Sequence, residues 1–196
     1  MRRAALVFSL ATGLAWPVQA ADTVPARLDA ARAAYARGDF GRTAVELEAA
    51  IVELHARLGK TLAEFLPAPL AGWQGEAPET LGLASAGGGL AVTRAYARDE
   101  STLNASLILD SPAVSAAAAQ FTAQAAVAQP NFRRLKIGAD DALLRWDAST
   151  RAGEITVVLG ARVLLQIEGD NLTSSDILVD AARGWNIAAI RKATAG

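Results

Sequence analysis

At about Pro78 the hydrophobic pattern of this chain changes period, and that change limits the fold more than any other feature of the sequence. Upstream, Ala44, Leu47, Ile51, Leu54 and Leu58 recur every third or fourth residue. Such spacing gathers apolar side chains on one face only if the backbone is an α-helix. Downstream, Leu90, Val92, Arg94 and Tyr96 alternate with Ala91, Thr93, Ala95 and Ala97, and Leu103, Ala105, Leu107 and Leu109 share one parity. Period two gathers side chains on one face only in a strand. Helices therefore come first and a sheet follows.

The helical part reads as a hairpin. Residues 26–37 form a helix ended by Gly38, and Asp39 is a good N-cap for a second helix from Phe40 to about Leu58. Gly59 is one candidate stop and Phe65 the other. The hairpin is expected to pack partly on itself and partly on the domain that follows, and any partner is expected to use its remaining face. Ala33-Ala34-Tyr35-Ala36-Arg37-Gly38-Asp39-Phe40, followed by Ala44 and Leu47, resembles the turn of a tetratricopeptide-type helical hairpin. One copy is visible, which implies a lone hairpin and not a solenoid.

Pro67 and Pro69 open a linker that runs to about Pro78 and contains Gly72-Trp73. Two strands then meet at Asp99-Glu100. Ser111-Pro112 starts a helix over 112–128, with Val114, Ala118, Phe121 and Ala125 as its buried stripe and Pro130 as its stop. Strands follow at 133–137, 142–147, 155–159 and 162–168, the last two joined through Gly160-Ala161. A final helix over about 174–183 is capped by Thr173, Ser174 or Ser175 and interrupted by Gly184. The fold class is α+β: an antiparallel sheet of at least five strands covered by helices, preceded by an α-helical hairpin. The expected division is 1–20, 21–66 for the hairpin and 67–196 for the α+β domain, the last two packed as one globular unit.

The division at residue 20 rests on Arg2-Arg3, the uncharged apolar run Ala4 to Trp16 and the small-residue exit Val18-Gln19-Ala20. This is the pattern of an export signal, with cleavage expected between Ala20 and Ala21. The run is too short to span a membrane, which takes about twenty apolar residues. A twin-arginine signal lacks its flanking residues here, and a lipoprotein signal needs a cysteine, of which the chain has none. The expected location is the bacterial periplasm, or secretion, with no membrane span in the mature chain. Losing Arg2 and Arg3 moves the formal net charge from −1 to −3. That balance gives no electrostatic footprint for nucleic acid. Absence of Cys removes disulfides, thiolate metal sites and cysteine nucleophiles.

The order of elements after the linker resembles the PsbP-like fold, and more narrowly the DcrB-like periplasmic proteins, over residues about 68–192. The resemblance rests on the Pro-and-Trp stretch from Pro69 to Trp73, the Ser111-Pro112 helix start, Lys136-Ile137-Gly138 and the hairpin from Ile155 to Glu168. It implies no catalytic motif and no cofactor. It does imply kinship with non-enzymatic accessory proteins.

Few residues offer chemistry. His55, the sole histidine, lies beside the apolar stripe with no base or ligand partner nearby, so it reads as a helix-border residue. Asp147 and Glu154 flank the loop 148–153 and would form a carboxylate pair if the hairpin brought them together. Asp140 and Asp141 lie one strand away, but no calcium-loop spacing is present. Ser85-Ala86-Gly87-Gly88-Gly89 lacks the Lys-Ser/Thr of a phosphate loop, and no Gly-x-Ser-x-Gly elbow exists. No metal site and no cofactor are expected. Trp73 is either a lid over the core or an exposed contact, while Trp146 and Trp185 read as core. Trp73, Tyr35 and His55 are the candidate binding residues. The function expected is an exported, non-enzymatic binding or accessory protein whose partner is an envelope protein or small ligand. The alternative is a small periplasmic hydrolase using Asp147 and Glu154.

Overall fold

A computed structural model describes residues 23–122 and 131–194. The export signal, its cleavage point, the end of the 112–128 helix and the Pro130 stop lie outside the described residues. Two antiparallel helices, α1 (Thr23–Ala36) and α2 (Phe40–Ala63), come first. The turn between them follows from two residues. Gly38 takes φ +76°, and the Asp39 side chain accepts a hydrogen bond from the Arg42 backbone N–H at 3.0 Å. Glycine allows the left-handed turn, and the aspartate satisfies one of the open N–H groups at the helix start.

Eight strands then form one antiparallel sheet: β1 (Gln74–Gly75), β2 (Glu79–Gly82), β3 (Leu90–Arg98), β4 (Ser101–Leu109), β5 (Phe132–Ile137), β6 (Asp140–Asp147), β7 (Ala152–Leu159) and β8 (Val163–Asp170). Their order is β1-β3-β4-β8-β7-β6-β5, and β2 also pairs with the outer edge of β3. Helix α3 (Pro112–Thr122) links β4 to β5, and α4 (Asp176–Arg183) and α5 (Ile187–Thr194) end the chain. Asp99 at φ +53° closes the two-residue β3–β4 hairpin, with Arg98 opposite Ser101.

Alternation decides which face is buried. Leu90, Val92 and Tyr96 of β3, Leu103 to Leu109 of one parity in β4, and Val163, Leu165 and Ile167 of β8 all point into one core. Leu62 and Leu66, Trp73, Leu178, Val179, Trp185 and Ile190 cover that core from above. The opposite sheet face carries α3 over Ile108, Leu164 and Val158, through Val114 and Ala117. Of the expected buried stripe, Val114 is buried, Ala118 and Phe121 are half-buried, and the neighbouring Ala117 is buried against the sheet.

Three expectations change. The residues around Pro78 carry two edge strands, short and solvent-exposed, which have no apolar alternation to betray them. Residues 187–194 form a helix after Gly184, started by Asn186, whose side chain accepts from the Ala189 N–H at 3.1 Å. The β7–β8 turn holds three residues, since Leu159 pairs with Val163. Of the two stops open for α2 the later one holds: the helix runs through Gly59, a close-approach glycine, to Ala63. A Cβ at that position would lie at or within 3.0 Å of Cγ2, Oγ1 and Cβ of Thr80 on β2. Glycine here lets the helix sit directly on the sheet edge.

Candidate functional site

The hairpin is held together by small residues and one buried acid. Ala31 and Ala34 of α1 and Ala50 of α2 are buried where the helices meet. Between them sits Glu46, 1% exposed. Its carboxylate accepts from Arg27 of α1 at 2.8 Å and also pairs with Arg42 one turn back on α2. The Arg27 hydrogen bond, opposed by burial and reinforced by Arg42, holds Glu46 below the usual carboxylate range. A buried charge needs such partners, and here they join α1 to α2.

This packing leaves the apolar stripe of α2 elsewhere. Phe40, Ala44, Leu47, Ile51, Leu54 and Leu58 lie on one line along the helix, roughly 80–100° around from the Glu46–Ala50 line that faces α1. The sheet meets that line only near its end. Leu58 is half-buried, and Leu62, one turn on, is 0% exposed against the core. Ahead of Leu58 the stripe overhangs. Leu47, Ile51 and Leu54 are 42%, 50% and 48% exposed, and Phe40 is 67% exposed. Helix α1 takes a different face, and the sheet reaches only the last turns of α2. Helix α1 extends the surface. Tyr35 packs edge-on against Phe40, ring centroids 5.7 Å apart, and Leu28, two turns earlier on the same line of α1, is also exposed. Leu28, Tyr35, Phe40, Leu47, Ile51 and Leu54 thus form one apolar face across two helices. Val45 and Val52, also exposed, lie on another line of α2, roughly 120° away.

The sequence candidates fall in different places. Tyr35 belongs to this face. His55 is half-buried where α2 crosses the end of β2, beside Gly82. Trp73 is a lid: it is 6% exposed, packs in the core and lies under the Arg98 guanidinium, 5.0 Å from the ring centroid. Trp185 is core, and Trp146 is partly buried against it.

Asp147 and Glu154 both stand on the outer sheet face, but each already has partners. Asp147 accepts from the Ser149 N–H at 2.8 Å, the Ser149 hydroxyl at 2.6 Å and the Thr150 N–H at 3.4 Å. These bonds, the Ser149 hydroxyl first, hold its carboxyl below the ordinary aspartate range. Its role is to close the β6–β7 turn. Glu154 pairs with Arg145 at 3.0 Å and accepts from Thr156 at 3.0 Å. A concavity of about 350 Å³ is walled by Arg145, Asp147, Thr150, Glu168 and Asp170, and Glu154 is not among its walls. The structure does not bring the two carboxylates together on one cavity. Asp140 and Asp141 are paired with Arg191 and Lys136. Among the described residues no group of three or more His, Cys, Asp and Glu is gathered as metal ligands, and no helix is long and apolar enough to cross a membrane. Comparison with family models, with curated proteins and with solved structures finds no match to this chain.

Proposed function

We propose that this chain is an exported, non-enzymatic binding or accessory protein of the bacterial cell envelope, and that its working surface is the overhanging face of the hairpin. One observation carries the reading. Six large apolar side chains, each 42–67% exposed, share a face of two paired helices. Contiguous apolar surface of this kind is costly in water and marks an interaction site more often than a structural accident. The α+β domain then serves as the base that holds the arm. The export reading stands on residues 1–20, and kinship with PsbP-like and DcrB-like accessory proteins stands on the stretches quoted above. The hydrolase alternative gains nothing from the geometry. An acid catalyst needs a raised carboxyl pKa, whereas Asp147 is lowered and Glu154 is committed to Arg145.

A photo-crosslinking residue at Ile51, compared with one at Gln166 on the outer sheet face, tests the site in the native envelope. Defined crosslinks from Ile51 and none from Gln166 are expected. The reverse pattern would move the working surface to the sheet. Intact mass of the envelope-fraction protein tests export: a species beginning at Ala21 is expected, and one retaining Met1 contradicts it.

A further inference from the structure

Resting on that reading of the hairpin, we propose that its occupant is a second copy of this chain, the two hairpins meeting face to face about a two-fold axis as an antiparallel four-helix bundle. Three observations point to a copy.

The first is the spacing. Phe40, Ala44, Leu47, Ile51, Leu54 and Leu58 follow one another at intervals of four and three residues. This alternation is the a/d seam along which helices interlock at a shallow crossing angle. A seam is complementary to another like it, and a two-fold axis supplies one at no extra design.

The second is charge. No ionisable residue lies on the seam, and the hairpin's charged groups are in near balance. Arg27 and Arg42 both pair with Glu46 at the α1–α2 contact, away from the seam. Two copies can therefore close on each other without burying an unpaired charge, which would be the main obstacle to self-association.

The third is size and placement. The six exposed side chains offer on the order of 600 Å² per copy, close to the roughly 800 Å² per partner of a standard interface once the rim is added. The seam from Phe40 to Leu54 is roughly 21 Å long at helical rise. An axis between Leu47 and Ile51 sets Leu47 of one copy against Ile51 of the other, and Ala44 against Leu54. The sheet domain sits at the C-terminal end of α2. Antiparallel docking therefore places the two domains at opposite ends of the bundle.

Sedimentation velocity of the purified chain, from about 1 µM to about 300 µM, tests the proposal. The expected result is a monomer–dimer equilibrium that Ile51→Glu and the milder Ile51→Gln weaken at least tenfold. Val52→Glu, on the other line of α2, should leave it unchanged. Circular dichroism and the denaturant midpoint should stay near wild type in all three, since both positions are exposed. A dimer indifferent to Ile51 overturns the proposal. So does a monomer at every concentration. In the monomer case bis-ANS fluorescence separates the two claims. Dye binding lost in Ile51→Glu leaves the docking face standing with a different occupant. No dye binding in wild type means that the chain covers this face itself, and both readings fail.

Discussion

The two halves of α2 carry the same apolar stripe and meet opposite fates. From Leu58 onward the stripe enters the core: Leu62 is fully buried, and Gly59 brings the helix backbone onto β2. From Phe40 to Leu54 the same pattern faces water. Periodicity reports which residues share a face, and the tertiary arrangement decides whether that face is covered. The sheet domain also shows what full cover looks like. Every inward residue of β4 is buried, whereas the hairpin ahead of Leu58 buries Val24, three alanines and one carboxylate and leaves Leu28, Leu47, Leu54, Tyr35 and Phe40 exposed. The domain is stabilised by apolar burial. The hairpin depends on its attachment to the domain and on the Glu46 cluster.

The largest expected contrast is between Leu62 and Leu54, two leucines of one helix. Leu62→Ala should cost about 2–5 kcal/mol, because it opens a cavity in a packed core. Leu54→Ala should stay within about 0.5 kcal/mol. Urea denaturation measures both, and equal losses would break the comparison. Next comes Gly59→Ala. The gain in helix propensity is about 1 kcal/mol, but the new methyl has no room against Thr80, and overpacking costs typically about 1–3 kcal/mol. A net loss is expected, recovered in part by Thr80→Ala in the double variant. A net gain would mean that α2 is not seated on β2.

The Glu46 cluster should give a smaller, pH-dependent effect. Its folded pKa is lowered, so its contribution is fully present above the ordinary value of about 4.5 and is lost as pH falls through the lowered folded value. Acid should therefore loosen the hairpin, read as reduced amide-exchange protection in α1 before the sheet. Glu46→Gln should flatten that dependence while lowering stability at neutral pH. Loss of protection in α1 and sheet together would show that the two regions are not separable. The smallest effect belongs to Asp110 and Arg162, paired through two bonds at 2.7 and 2.8 Å but each nearly half exposed. Asp110→Asn should cost no more than about 1 kcal/mol, less in high salt.

Much of the α+β domain was legible because its strands keep strict alternation: the parities read for β3, β4 and β8 are those the core uses. Asp39 and Gly38 marked the hairpin turn through chemistry that acts within four residues. What escaped had no local signal, or one that local reasoning misassigns. The strands β1 and β2 are short exposed edges around Pro78. Gly59 looks like a helix stop, and its reason is Thr80, distant in sequence. Asn186 was a readable cap for α5, hidden by its nearness to Gly184. At the candidate site, the stripe residues and Tyr35 could be named from spacing, but their exposure could not. Nothing along the chain says how far the sheet reaches up α2. The proximity of Asp147 and Glu154 in sequence suggested a pair, and the turn bonds of one and the Arg145 bond of the other explain why they act separately.

The native chain lacks cysteine, so thiols introduced at Ile51→Cys and Leu62→Cys report on the two halves of one stripe without interference. The decisive measurement is their labelling rate by a maleimide in native buffer at nanomolar protein, where any association is dissociated. Ile51→Cys is expected to react nearly as fast as in the unfolded chain, and Leu62→Cys to react only through unfolding. Equal protection at both positions in the dilute monomer would contradict the account, because the stripe would then be covered along its whole length.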